Sequence, residues 1–464
     1  PYGIDIARFY PEQKQDEYVF GRCGEIAKKV YTPAVHPREP FETGRQLFKS
    51  PFYEREVALG GYFMEAAGWE RAHGYAANEP TLLAKYRDQI PQRMNEWDSR
   101  HFWEVSNAEQ LALSDDVGMV NLSHFAIYDI DGPSAEHLLE YLAVAKVGGA
   151  TQVGKGVYTH FLDEKGGIRA DLTIVRLSED CFRVICGGGT GHRDLVWIKQ
   201  MAAARHADIE IHNRTHQLAT LGLWGPNARK VLASLVDDPN AVSDAKFPFA
   251  TAANIEIEGI KIWAFRISYV GELGWELYFD FADGLQLWDL FADAGVNPVG
   301  IETYANSRRL EKSLRLQNAD LETDYNLHEA DLARKLVKKA DFHGKAAYVA
   351  QKAADQQASY LCTMVMLKNV DASGVARYPV GEWPILNKET REVLLDEFGR
   401  RSICTSVEYG PSLGSNIILG YIPAEFASVG TELLLEYFCE EYPIRIEAVG
   451  YAPLLDPENL RVRS

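Results

Sequence analysis

Arg266-Ile-Ser-Tyr-Val-Gly-Glu-Leu-Gly-Trp-Glu-Leu-Tyr-Phe279 has the grammar of a β-hairpin. Both ends are dense in β-branched and aromatic residues, and the middle, Gly271-Glu272-Leu273-Gly274, has turn composition. A strand–turn–strand unit here sets Tyr269 and Glu276 at the shoulders of one hairpin, with two polar side chains able to share a pocket. Taken alone, the stretch reads first as an ordinary hairpin with a solvent-exposed glutamate.

Upstream, Leu218–Leu235 reads as a strand, a Gly225-Pro226 turn and a helix. The same pattern occurs earlier, where the alternation over 125–130 runs into Asp131-Gly132-Pro133 and a helix over 134–142. Two "strand, Gly-Pro, helix" units predict a duplicated, βαβ-like half. Between them, strands are expected over 157–162, 168–177 and 181–186, joined by turns at 163–167 and 178–180. Gly187-Gly188-Gly189-Thr190-Gly191 then leads into a helix. This run does not meet the G-x-G-x-x-G spacing, and no acidic ribose ligand comes after it, so it reads as a tight strand-to-helix turn. Downstream, helices are expected over 285–294 and 301–314, with Arg308 and Arg309 on the second. Another helix starts at Phe342-His343-Gly344. From Tyr360 onward, short β segments over 361–367, 383–386, 403–407, 417–422, 432–438 and 442–449 suit a small barrel or sandwich.

The 464 residues suggest about three domains. An excess of 66 acidic over 48 basic residues gives a net charge of −18, which disfavours nucleic acid and anionic membranes as partners. No apolar run is long enough for a transmembrane helix. The six cysteines form no CxxC pair, so no metal site is signalled. They read as buried small hydrophobes of a reducing compartment, and a cytoplasmic location is expected. The start, Pro1-Tyr2-Gly3, has neither Met nor a leader pattern, as expected of a processed start or a cut from a longer chain. Residues 16–30 read as a helix with an apolar face of Tyr18, Val19, Ile26 and Val30. The aromatic-rich 59–75 must pack on a neighbouring domain.

Tyr269 to Glu276, Val117-Gly-Met-Val-Asn-Leu-Ser-His124, Gly166-Gly-Ile-Arg-Ala-Asp171, Leu221-Gly-Leu-Trp-Gly-Pro226, Arg309-Leu-Glu-Lys312, Ala340-Asp-Phe-His-Gly344, and Thr405-Ser406 through Gly414 form an ordered set. Together these stretches resemble the glycine-cleavage T-protein family. Arg8-Phe9, His36-Pro37-Arg38-Glu39, Gly44-Arg45, Ser50-Pro51-Phe52-Tyr53 and Ala67-Gly-Trp-Glu-Arg71 resemble the linker region of sarcosine and dimethylglycine dehydrogenases. The resemblance implies an α+β, three-lobed T-protein-like fold with a C-terminal β-barrel, preceded by a short flavoenzyme-type linker. The implied domains are a linker over 1–100, a folate-binding aminomethyltransferase-like domain over 101–355 and the barrel over 356–464.

The resemblance also implies chemistry. Asp171, which by itself is also readable as a turn-capping aspartate, maps onto the family's essential acid and would accept or relay a proton at an amine nitrogen of a reduced folate. Glu276 would accept two hydrogen bonds from the amino-pyrimidine edge of a pterin, and Tyr269 would hydrogen-bond to or stack on the ring. Arg309 would pair with the folate's glutamate carboxylate, or else form a helix-surface salt bridge. Arg334 stands where the family often has an aromatic, in place to hold a polyglutamate tail. The implied activity is tetrahydrofolate-dependent transfer of a one-carbon unit from an N-methylated amine to give 5,10-methylene-tetrahydrofolate. FAD would come only from a separate dehydrogenase domain or subunit. Direct methyl transfer to 5-methyl-tetrahydrofolate, or a non-catalytic folate-binding or assembly subunit, are the alternatives.

Overall fold

Two segments with one connectivity form the body of the protein. The computed structural model describes residues 2–31, 39–95, 97, 102–149 and 151–463. In the first segment, the strand Ala126–Asp131 turns into the helix Ala135–Leu142, followed by a meander of Gly156–Leu162, Ile168–Arg176 and Cys181–Cys186 and the helix Gly191–Ala204. The second repeats this order: Leu218–Trp224, helix Ala228–Leu235, then Ala252–Ile257, Ile260–Phe265 and Gly274–Asp280, and helix Gly284–Asp293. In both, the last meander strand pairs with the first strand of the segment. The matching turns place Gly132 at φ 129° and Gly225 at φ 135°. A Cβ at these glycines would lie 2.7 Å from the Asp208 carbonyl oxygen and 2.2 Å from that of Asp116, so only glycine fits.

The halves are not built from parallel βαβ crossovers. Every pairing within the two meanders, and between each meander and the strand that opens its segment, is antiparallel. Short turns such as 163–167 force this, because a parallel neighbour needs a long crossover.

Period-2 alternation gives each sheet two faces. On Ile168–Arg176, Ala170, Leu172 and Ile174 face a core shared with Leu138, Leu139, Leu142, Leu195 and Ile198 of the helices. On Gly274–Asp280, Trp275, Leu277 and Phe279 do the same with Leu232, Leu287 and Trp288. The opposite faces meet each other through Ile127, Val175, Ile185, Phe265 and Tyr278. Asp171 and Glu276 therefore lie on faces turned away from the helices.

The opening stretch is a hairpin with a longer loop than its composition suggested. The first strand ends at Phe265, and Phe265 pairs with Glu276 across the hairpin. Tyr269 thus belongs to the irregular loop 266–273 rather than to a strand shoulder. The Trp224 indole N–H holds this loop by donating to the Ile267 carbonyl at 2.8 Å.

All six expected C-terminal β segments are present, in the sheet order Ile385–Leu386, Glu432–Tyr437, Glu440–Val449, Ser359–Met366, Ser415–Pro423, Cys404–Gly410. Its two edges join through a Pro384–Ile403 bridge and hydrogen bonds from Ile385 N to Ser402 O (2.9 Å) and Cys404 N to Trp383 O (2.8 Å), closing a barrel. The N-terminal helix Asp16–Val30 forms where expected, and Val19, Phe20, Ile26 and Val30 on it are exposed. Cys23 and Cys439 are likewise exposed, while Cys186, Cys362 and Cys404 are buried. The hairpin of Gly61–Ala66 and Trp69–Tyr75 packs on the helix Trp103–Asp115, whose Glu109 accepts from the Tyr75 N–H at 2.8 Å. Of the linker motif, His36, Pro37 and Arg38 lie outside the described residues.

A buried ionic network joins the lobes. Arg308 and Arg309, on the helix Arg308–Glu311, are 0% and 2% exposed. Arg308 binds Glu272 of the loop, Glu311 at 2.7 Å and Ser412 Oγ at 3.2 Å. Arg309 binds Asp320 and Ser406 Oγ, both at 2.6 Å, and donates to the Ala305 and Leu314 carbonyls. Removing one member strands a buried charge, so Arg308→Ala and Arg309→Ala should each cost about 3–5 kcal/mol. The urea-unfolding midpoint checks this.

Candidate functional site

A cavity of about 860 Å³ opens where the inner faces of the two sheets part. Its wall includes Asp171 and Tyr158 from the first sheet, Phe265 and Glu276 from the second, and Tyr269 from the loop. The strand Trp69–Tyr75 contributes Arg71, and segment 312–318 contributes Arg315. A ligand of folate size fits such a volume.

Asp171 accepts a hydrogen bond from the Tyr158 hydroxyl at 2.7 Å. The His160 Nε2 lies 3.1 Å from the same hydroxyl. Because the tyrosine proton goes to Asp171, Nε2–H is the donor in this second contact. Burial pushes the Asp171 carboxyl up to about 6, against the Tyr158 hydrogen bond, which pulls it down. Burial, followed by the charges of Arg334 and Arg315, drives His160 down to about 3, so its ring is neutral. No side chain but Tyr158 donates to Asp171 among the described residues.

Glu276 is 6% exposed and accepts from the Tyr278 hydroxyl at 2.5 Å. Its other oxygen has no hydrogen-bond partner among the described residues. Burial pushes the carboxyl up to about 7. Tyr269 donates to the Arg315 carbonyl at 2.5 Å, and its ring centroid lies 5.2 Å from that of Tyr304. Tyr304 in turn stacks on Trp224. The Gly187–Gly189 run is a strand-to-helix turn that borders the cavity, where a Cβ on Gly188 would meet the His124 carbonyl oxygen at 2.0 Å.

The structure brings Asp171, Tyr269 and Glu276 into one cavity and leaves Arg309 out of its wall. Arg309 is a correction: its guanidinium is consumed by Asp320, Ser406 and two carbonyls, so it holds lobes together instead of facing a ligand. Arg334 is outside the wall too, donating to the Tyr158 carbonyl. Tyr158 and Arg315 were not singled out from sequence. Tyr158 was within reach, because the hairpin register places His160 opposite Asp171 and Tyr158 on the same face. Arg315 comes after an irregular turn and carries no such signal.

The family model described as the GCVT N-terminal domain matches residues 52–340. The chain belongs to the glycine-cleavage T-protein family. The family's C-terminal barrel domain matches residues 381–449, and the central domain of FAD dependent oxidoreductases matches residues 2–50. This T-protein family member is 32% identical over 418 residues to human "Dimethylglycine dehydrogenase, mitochondrial", covering 88% of this chain and 44% of that protein. It is 30% identical over 323 residues to "4-methylaminobutanoate oxidase (formaldehyde-forming)" of Paenarthrobacter nicotinovorans, covering 68% of this chain and 37% of that protein. The chain thus spans less than half the length of these curated relatives. The glycine cleavage system aminomethyltransferase T from Bartonella henselae shares the fold, with a TM-score of 0.71 at 21% identity over 89% of this chain and 99% of that one. Among the described residues no helix is long and apolar enough to cross a membrane.

The buried acids make stability pH-dependent. The Glu276 carboxyl titrates near 7 when folded, against the ordinary 4.5 when unfolded, so ionising it in the folded state is penalised. The Glu276 contribution to stability falls as pH rises from 4.5 to about 7 and levels off above. Glu276→Gln removes this contribution, so its melting temperature should gain on the parent's through that window and hold the gain at higher pH. Separately, Tyr158→Phe deletes the hydrogen bond that favours the Asp171 carboxylate, and should move its titration above 6, as read by carboxyl-carbon NMR.

Proposed function

We propose that this chain is the tetrahydrofolate-dependent half of an amine demethylase, moving a one-carbon unit from an N-methylated amine to tetrahydrofolate. The observation that carries the reading is that Asp171 and Glu276 face one cavity from two different sheets, each with an oxygen that has no partner among the described residues. Burial pushes both carboxyls toward neutrality, which supports a site that binds or moves protons.

Glu276, with Tyr278 on one oxygen, offers the other to the paired N–H donors of a pterin edge. Tyr269 and Tyr304 supply an aromatic flank for the ring. Bound tetrahydrofolate would supply the nucleophilic nitrogens that accept the one-carbon unit. Asp171, ionised above pH 6, takes the proton from the attacking amine nitrogen and returns it to the leaving amine. Tyr158 keeps the carboxylate oriented, and neutral His160 keeps Tyr158 oriented.

The amine class rests on the relatives. Dimethylglycine and 4-methylaminobutanoate, which appear in their names, are both N-methylated amino acids bearing a carboxylate. The oxidation that makes the one-carbon unit transferable would come from a flavin domain or subunit, in keeping with the match of residues 2–50 to a central domain of FAD dependent oxidoreductases. The product assigned is 5,10-methylene-tetrahydrofolate.

Asp171→Asn should lower the transfer rate by about 10²–10⁴-fold while folate binding, read by calorimetry, is kept. An unchanged rate would remove the catalytic assignment. Glu276→Ala should weaken folate binding by about tenfold or more, the loss of a charge-assisted hydrogen bond. In the parent protein at pH 6, folate binding should release protons, because the pterin donors favour the Glu276 carboxylate. Calorimetry in two buffers of different ionisation enthalpy reads the release.

A further inference from the structure

Arg315 is 4% exposed and borders the cavity. Its Nη1 donates to the Ser313 carbonyl at 2.7 Å, and its guanidinium lies 5.3 Å from the Tyr451 ring centroid. Its Nε and Nη2 have no hydrogen-bond partner among the described residues. The nearby acids are engaged elsewhere: Asp320 by Arg309, Ser406 and Thr405, and Asp331 by the Tyr451 N–H at 2.8 Å.

Nε and Nη2 form one edge of the guanidinium, the edge that grips a carboxylate side-on. Elsewhere in this protein that edge is filled in this way. Arg183 gives it to the two oxygens of Asp129 at 2.8 and 3.0 Å, and Arg55 gives it to Asp289 at 2.8 and 2.7 Å. In Arg315 the same edge is buried and unanswered. An arginine stays charged, so a buried, half-satisfied guanidinium is costly in the absence of an anion. Arg315 also lies beside the reacting end of the cavity. Its carbonyl receives the Tyr269 hydroxyl, and its charge is felt at the Tyr158 hydroxyl that holds Asp171.

We propose that Arg315 is a carboxylate-binding subsite of the cavity, gripping one ligand carboxylate through Nε and Nη2. The carboxylate comes from the amino-acid donor or from the folate's glutamate tail. That choice of sources rests on the function proposed above, whereas the grip itself does not.

Calorimetry on the full chain with paired probes tests it. One pair is dimethylglycine and its methyl ester, and the other is 5-formyltetrahydrofolate and 6-methyltetrahydropterin, which lacks the tail. Arg315→Gln should weaken one carboxylated probe by about tenfold or more and leave its carboxylate-free partner unchanged. Arg315→Lys, which keeps the charge without the fork, should fall between. A loss confined to dimethylglycine assigns the donor, and a loss confined to the formyl-folate assigns the tail. The melting temperature of unliganded Arg315→Gln should be unchanged or raised, because an unpaired buried charge has gone. The subsite is overturned if the variant keeps its affinity for both carboxylated probes, if it loses both members of a pair equally, if its melting temperature falls, or if the parent binds neither carboxylated probe. Failure of the folate reading shows separately, as a parent that ignores both pterin probes while the dimethylglycine pair still reports on Arg315.

Discussion

Arg308 and Arg309 hold the protein together. Adjacent on one short helix, they point their guanidiniums in different directions, one to Glu272 of the 266–273 loop and the other to Asp320 and the barrel's Ser406. Two buried cations of this kind are tolerable only when every donor is answered, and here loop, helix and barrel answer them together. The loop that carries Tyr269 therefore has its position set by the packing of the third lobe as well as by its own hairpin. Arg461 adds to the same knot by binding Glu272 at 2.8 Å, which brings the C-terminal segment over the loop.

The contrast between Arg309 and Arg315 is a contrast in satisfaction. Both are buried, and they stand six positions apart on adjoining segments. Arg309 is surrounded by acceptors and serves the fold, while Arg315 keeps an unanswered edge on a cavity wall. The same distinction applies to the acids. Glu311 is fully buried and takes Arg308 at 2.7 Å, whereas Asp171 and Glu276 have, among the described residues, only a tyrosine hydroxyl each and titrate far above the usual carboxylate range. Polar groups left incompletely paired in a folded protein are where function is to be sought.

Much of this was legible in the sequence. The Gly-Pro turns at 132–133 and 225–226 announced the repeat, and the spacing of the C-terminal β segments announced a small β domain. The ordered motifs pointed to Asp171, Tyr269 and Glu276, which the fold gathers in one cavity. Within the first meander, strand direction was legible from the short turns at 163–167 and 178–180. The antiparallel pairing of each meander with the strand that opens its segment was not, because a strand–turn–helix pattern is the same whether the next strand runs parallel or antiparallel. Nor was the role of Arg309. An arginine on a helix reads alike as ligand contact, surface ion pair or buried latch, and only its neighbours decide. The exposure of the apolar stripe on the Asp16–Val30 helix was hidden for a similar reason, since periodicity shows that a face is apolar without saying what covers it.

The sequence by itself determined the elements and their faces. Alternation along 168–176 and 274–280 sets Asp171 and Glu276 opposite to the apolar side chains, and that is a consequence of the pleat alone. Only the tertiary structure decided that these two faces meet, that a cavity opens between them, and which charged groups there lack partners. Those are properties of non-local contacts: Tyr158 against Asp171 across a hairpin, Arg315 under the Tyr451 ring, and Arg309 against a barrel strand nearly a hundred residues away. Burial raises the two carboxyls toward neutrality, and burial is a property that no single stretch of chain possesses.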